Sequence, residues 1–147
     1  MESHLLFLPI EGHKQKKMYL NCHTYFSLRY GTLSIKGLLS EAAKKGVSSL
    51  CLTDINNTSA ALDFIRLSKE YNITPRVGVE FRNQDELCYV MIAKNNNGYF
   101  LINQFLSYHL HQKLGFPKKA PHLKDTYVIY PFDFKQNPNL LEHEFIG

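Results

Sequence analysis

Asn21 and His23 stand two residues apart in the run Leu20-Asn21-Cys22-His23-Thr24-Tyr25-Phe26-Ser27. In a strand that spacing puts both side chains on one face and Cys22 on the other. The run reads as a metal-binding His-x-His strand whose first histidine position holds asparagine. Two later stretches, Leu52-Thr53-Asp54-Ile55-Asn56 and Gly78-Val79-Glu80, bring carboxylates. Imidazole and carboxylate together are the donors that hold a divalent cation able to activate water.

A second, literal His-x-His occurs at His109 and His111, in a stretch with helical periodicity. Positions two apart on a helix lie about 200° around its axis, so these histidines cannot share one metal and read as surface residues at a helix end. No GxxxxGK or GxGxxG phosphate loop occurs, and Asn95-Asn96-Asn97-Gly98 reads as a loop leading into a helix. Tyr25 and Phe26 are of a type that stacks on bases, but after a strand they read first as packing residues.

The elements that position these groups alternate. Met18 to Thr24 has strand character, and Ser34 caps a helix from Ile35 to Lys45 that Gly46 stops. Val47 to Thr53 is an apolar run suited to a strand buried on both faces. Thr58 or Ser59 is expected to cap a second helix with Leu62, Phe64, Ile65 and Leu67 on its apolar face and Asn72 at its exit. Strands follow over Ile73 to Val79 and Leu87 to Ala93. A third helix carries Phe100, Leu101, Phe105 and Leu106 to about His111, and Thr126 to Tyr130 is a last strand before Pro131. Gly115-Phe116-Pro117 and Ala120-Pro121 mark irregular chain, and the tail to Gly147 is weakly patterned. This alternation predicts an α/β fold with parallel pairing through right-handed crossovers. Asn21 and His23, Asp54 and Ile55, and Glu80 then fall at three consecutive strand ends, where such sheets gather their functional groups.

The chain has 147 residues, 44% hydrophobic and 20% charged, which suits one compact domain with its own core. A net charge of +4 without a long Lys/Arg stripe does not argue for nucleic acid. The cluster His13-Lys14-Gln15-Lys16-Lys17 reads as a solvated tail, and residues 1–17 as an extension before the domain. Leu5-Leu6-Phe7-Leu8-Pro9-Ile10 is too short to span a bilayer and lacks a signal peptide's basic start, so a cytoplasmic location is expected. Cys22, Cys51 and Cys88 sit in apolar runs without zinc spacing and read as buried free thiols in a reducing compartment.

Taken together, Tyr19-Leu20-Asn21-Cys22-His23, Ser27-Leu28, Gly31, Leu38-Leu39, Ala42-Ala43, Lys45-Gly46, Leu50-Cys51-Leu52-Thr53-Asp54, Asn56-Asn57, Phe64, Pro75 and Gly78-Val79-Glu80 resemble the PHP (polymerase and histidinol phosphatase) domain. The likeness is closest to the version at the amino terminus of bacterial DNA polymerase III alpha subunits and covers about residues 18–110. It implies a partial, distorted βα barrel of mostly parallel strands with outer helices. The domain core is expected over residues 18–112, followed by an irregular, truncated portion with one further strand over 113–147.

Active members of the family hold a cluster of divalent metals at the strand ends and hydrolyse phosphoesters, in some polymerases as a proofreading 3′–5′ exonuclease. Their ligands come from an H-x-H strand, a T-D-H turn and a G-x-E strand end. By the resemblance, Asn21 takes the first histidine position and His23 the second, Asp54 is retained, Ile55 stands where a ligating histidine would be, and Glu80 keeps the acidic position. Only His23, Asp54 and Glu80 have ligand-type side chains. Asparagine suits calcium or magnesium better than zinc or manganese, and isoleucine ligates nothing. The expectation is a domain that has lost its metal site, with no catalytic residue, no cofactor-binding residue and no cofactor. His23 and Glu80 would hydrogen-bond to each other or to nearby backbone in a former pocket, and Asp54 would cap its own loop, Ile55-Asn56-Asn57.

The reading implied is an amino-terminal fragment of a polymerase alpha subunit. It would serve as a structural or docking element for the rest of the polymerase chain, and through it for DNA, with a separate proofreading exonuclease subunit as a further partner. The alternative is a metal-dependent phosphoesterase or exonuclease using zinc, manganese or magnesium. A free-standing nucleic-acid-binding module is the weaker third reading.

Overall fold

The computed structural model describes residues 17–133 and 139–147. Nearly all of the expected basic tail, His13 to Lys16, lies outside these residues, while Lys17 already belongs to the first strand.

The order is β1 (Lys17–Cys22), α1 (Ile35–Lys44), β2 (Val47–Leu52), α2 (Ala61–Ser68), β3 (Thr74–Asn83), β4 (Glu86–Ala93), α3 (Asn96–Gln112), β5 (Thr126–Tyr130) and β6 (Glu144–Ile146), with a 3-10 turn (Lys69–Tyr71) after α2. The strands form one six-stranded sheet in sequence order. Met18 and Leu20 of β1 and Phe145 and Ile146 of β6 line one apolar cavity of about 610 Å³, so the sheet curls its two edges toward a common groove, as part of a barrel wall does.

Local chemistry explains most of these elements. Ser34 accepts a hydrogen bond from the Gly37 amide at the start of α1, and Gly46, at φ 69°, takes the left-handed turn that ends it. Asn95 caps α3 through the Gly98 amide, and Asn72, at φ 54°, turns the chain into β3. Leu39, Leu50, Phe64 and Ile73 pack α1 and α2 onto one half of the sheet. Phe81, Tyr89, Met91, Ile102 and Leu106 pack α3 onto the other.

Several expectations change. The sheet is mixed, because β3 pairs with β4 and β4 with β5 antiparallel, while β1–β2, β2–β3 and β5–β6 are parallel. The β3–β4 link is only Gln84-Asp85, too short for a crossover. Between β4 and β5, α3 carries the chain away and the irregular segment after it brings it back, so Ala93 lies beside Thr126. The second helix begins later than Thr58 or Ser59 and has no side-chain cap; Thr58 instead bonds Asn103. Leu62 and Phe100 face solvent, and Ala61 with Phe64, and Ile102 with Leu106, form the buried faces. β1 is exposed along most of its length because only β2 flanks it. The tail supplies an unexpected strand, β6, anchored where the Tyr130 hydroxyl donates to the buried Glu144 carboxylate at 3.0 Å. Phe116 and Ala120, in irregular chain, are buried core residues. Among the described residues no helix is long and apolar enough to cross a membrane.

Candidate functional site

The parallel pairing of β1, β2 and β3 puts their carboxyl ends side by side. Beyond β2 the backbone stays in register with β3: the Glu80 amide donates to the Asp54 carbonyl at 3.3 Å, and the Asn56 amide to the Glu80 carbonyl at 3.0 Å. Ile55 and Glu80 form a parallel bridge. Gly31 seats the loop after β1 on this edge, since a Cβ there would lie 1.8 Å from the Thr24 carbonyl oxygen.

Glu80 is the centre of one cluster, its side chain only 1% exposed. One carboxylate oxygen accepts from Asn21 Nδ2 at 2.7 Å and lies 3.0 Å from His23 Nε2. The other accepts from Arg82 Nε at 2.5 Å. Asn21 is fixed from behind, its Oδ1 accepting from the Thr53 hydroxyl at 2.6 Å. Burial alone pushes the Glu80 carboxyl up, but the hydrogen bonds from His23, Asn21 and Arg82 outweigh it and hold it down at about 2. Glu80 is therefore ionised across the whole neutral range.

Asp54 forms a second cluster. It is buried and does not cap its own loop, which is a correction to the expectation. It accepts from the Thr24 amide and hydroxyl, both at 2.7 Å, and from the Ser27 hydroxyl at 2.6 Å. Ser27 in turn accepts from the Ile55 amide at 2.9 Å. Asp54 thus pins the segment following β1 to the end of β2. The Ile55 side chain is half-buried and brings no polar atom.

The structure brings Asn21, His23 and Glu80 into direct contact, with Ile55 beside them on the backbone, and leaves Asp54 occupied by a separate set of donors. Arg82, Thr24, Ser27 and Asn56 escaped the sequence reading. Arg82 follows Glu80 by two, the spacing that places a carboxylate and a guanidinium on one strand face, so its signal was present. The Asn56 side chain clasps the Arg82 backbone at 2.9 Å in both directions, a long-range contact without a sequence signature.

Elsewhere, His111 is exposed, while His109 is half-buried, packed on Phe105 and Phe116 with Nδ1 bonded to the Phe105 carbonyl, so it is not the surface residue expected. Tyr25 and Phe26 contact each other at 4.9 Å between ring centres and remain substantially exposed rather than packed inside. The three thiols are free; Cys51 and Cys88 are buried and Cys22 is half-buried. Burial pushes Cys22 to about 11 and Cys51 to about 12, away from thiolate chemistry.

A divalent metal needs several donors free and turned toward one point. Among the described residues no three His, Cys, Asp or Glu side chains gather as a metal-holding group. Asn21 turns its N–H, not its carbonyl, toward Glu80, and both Glu80 oxygens are already paired. Asp54 has three donors of its own. As these side chains stand, they do not fit a metal of the zinc or manganese type.

A protein-family model described as the PHP domain matches residues 20–136. DNA polymerase III subunit alpha of Ureaplasma parvum is 38% identical over 89 residues, covering 60% of this chain and 9% of its own length. The error-prone DNA polymerase of Symbiobacterium thermophilum is 32% identical over 105 residues, covering 71% of this chain and 9% of its own. DNA polymerase III subunit alpha of Bacillus subtilis is 34% identical over 88 residues, covering 56% and 8%. The chain thus spans less than a tenth of the length of these relatives. Among solved structures, a protein from Bifidobacterium adolescentis described as a metal-dependent phosphoesterase aligns with a TM-score of 0.48 at 21% identity, covering 64% of this chain and 33% of its own.

Proposed function

This chain belongs to the PHP domain family, and on that premise we propose that it is the amino-terminal PHP portion of a bacterial DNA polymerase III alpha subunit, acting as a structural and docking element without metal-dependent chemistry of its own. The parent chain would carry out DNA-directed DNA synthesis in the cytoplasm. This portion would brace the polymerase body and offer a surface to a proofreading exonuclease subunit.

The observation that carries the reading is the pairing of Glu80. A PHP carboxylate that works on metals must turn lone pairs toward the ion, and here Asn21, His23 and Arg82 occupy three of the roughly four acceptor positions on its two oxygens. Asp54 supports the same conclusion, because it is spent on the loop that follows β1. What remains is a rigid junction between strand ends, useful for holding a shape.

The test is incubation of the purified protein with a 5′-labelled single-stranded oligonucleotide and with a simple phosphomonoester, in manganese and in zinc. The reading expects no product above a His23→Ala/Glu80→Ala control. Nucleotide release that this double substitution abolishes would favour a PHP phosphoesterase instead. Co-sedimentation with the remainder of the polymerase chain, expressed separately, tests the bracing role; a complex is expected, and full independence of the two pieces contradicts it.

A further inference from the structure

Arg82 is the one partner of Glu80 that the family's ligand pattern does not account for, and its setting is more elaborate than an ion pair along a strand requires. We propose that the Arg82 guanidinium is the resident cation of this cluster, a tethered positive charge that neutralises Glu80 in place of a divalent ion. The inference rests on the metal-free reading above and adds what replaced the metal.

A carboxylate with 1% of its side chain exposed needs a compensating charge or a full set of donors. Asn21 and His23 share one Glu80 oxygen, and Arg82 Nε holds the other. The guanidinium is then fixed from two further directions. Arg82 Nη1 donates to the Asp85 carbonyl at 2.9 Å and to the Tyr30 hydroxyl at 3.3 Å, and its central carbon sits 4.5 Å from the Tyr30 ring centre.

The backbone is prepared as well. β3 and β4 change register between Phe81 and Arg82 with the extra residue, Cys88, on β4, so β3 itself runs on regularly and keeps Glu80 and Arg82 on one face. The Asn56 amide replaces a neighbouring strand along Arg82 with a two-point clasp. An arginine that merely happened to lie two residues from a glutamate would not need Asn56, Tyr30 and Asp85 to fix it. The side chain is 16% exposed against 1% for Glu80, so the charge sits on the more solvated side of the cluster. Because guanidinium stays protonated at any working pH, this cation is always present and independent of metal supply.

The idea predicts that Arg82 and a metal exclude each other. Manganese and zinc are titrated calorimetrically into four proteins: the wild type, Asn21→His/Ile55→His, the same pair with Arg82→Ala, and Arg82→Ala alone. The triple variant is expected to bind about one ion per chain at least about 30-fold more tightly than the double variant, which keeps the guanidinium repelling the ion. Equal affinities in the two overturn the proposal.

Should the triple variant not fold, Arg82→Ala alone carries the test. Millimolar methylguanidinium is expected to raise its melting temperature while methylurea, of the same shape without charge, does not; no selective rescue overturns the proposal. Stoichiometric metal in the wild type would instead bring down the metal-free reading itself, whatever the Arg82 variants show.

Discussion

Two acids on neighbouring strands, Asp54 just beyond the end of β2 and Glu80 within β3, have been put to different uses. Asp54 is surrounded by neutral donors, the Thr24 amide and hydroxyl and the Ser27 hydroxyl, all from the segment that follows β1. Glu80 is held by a cation and two side chains from three separate positions, Arg82, Asn21 and His23. The first arrangement ties a loop down, and the second balances a buried charge. A buried carboxylate thus keeps its place in a fold once its neighbours supply either hydrogen bonds or a charge. Which of the two it received decides how it responds to substitution.

The largest effect is expected at Asp54. Asp54→Ala strands three donors in a buried place and should cost about 4 kcal/mol in denaturant unfolding, with the loop over residues 24–31 exchanging its amides faster. Glu80→Gln should cost less, about 2–3 kcal/mol, because Arg82 keeps partial solvent and the Asp85 carbonyl. A double-mutant cycle of Glu80→Gln with Arg82→Met should return a coupling of about 2 kcal/mol, whereas Glu80→Gln with Ser27→Ala should be additive. Coupling of equal size in both cycles would dissolve the distinction between the two clusters.

Acid sharpens the comparison further. The folded-state value of Glu80 is depressed to about 2, so its contribution is complete above the unfolded value near 4.5 and is lost as pH falls from there toward 2. After allowing for the partial exposure of His23 and Arg82, about 2 kcal/mol should disappear over that window in the wild type and not in Glu80→Gln. Unfolding titrations at stepped pH read this directly. The smallest effect is expected at Ile55→His, below about 1 kcal/mol, since the side chain is half-buried and makes no polar contact.

Much of the layout could be read before the structure. The α1 boundaries followed from Ser34 and Gly46, and β2 from an unbroken apolar run, because caps, left-handed glycines and doubly buried strands leave local marks. The proximity of Asn21, His23 and Glu80 followed from parallel pairing of three successive strands. What escaped depended on contacts between distant residues. β6 has three residues and owes its place to Glu144 and Tyr130; the antiparallel β5 depends on the route of an irregular segment. Leu62 looked like core because periodicity alone cannot say which flank of an apolar stripe meets the sheet. At the site, Asp54 was assigned to its own loop because turn propensity is local, whereas Thr24 and Ser27 reach it across about 30 residues of chain. Arg82 was readable in principle, as the second member of an i, i+2 pair with Glu80.

The charge of Glu80 is balanced from within the chain. Calorimetric titration of the wild-type protein with manganese and with zinc, with metal content measured on the protein as purified, tests it most directly. The purified protein should carry no stoichiometric metal and show no saturable binding at micromolar concentrations. One tightly held ion per chain, lost in Glu80→Gln, would contradict it.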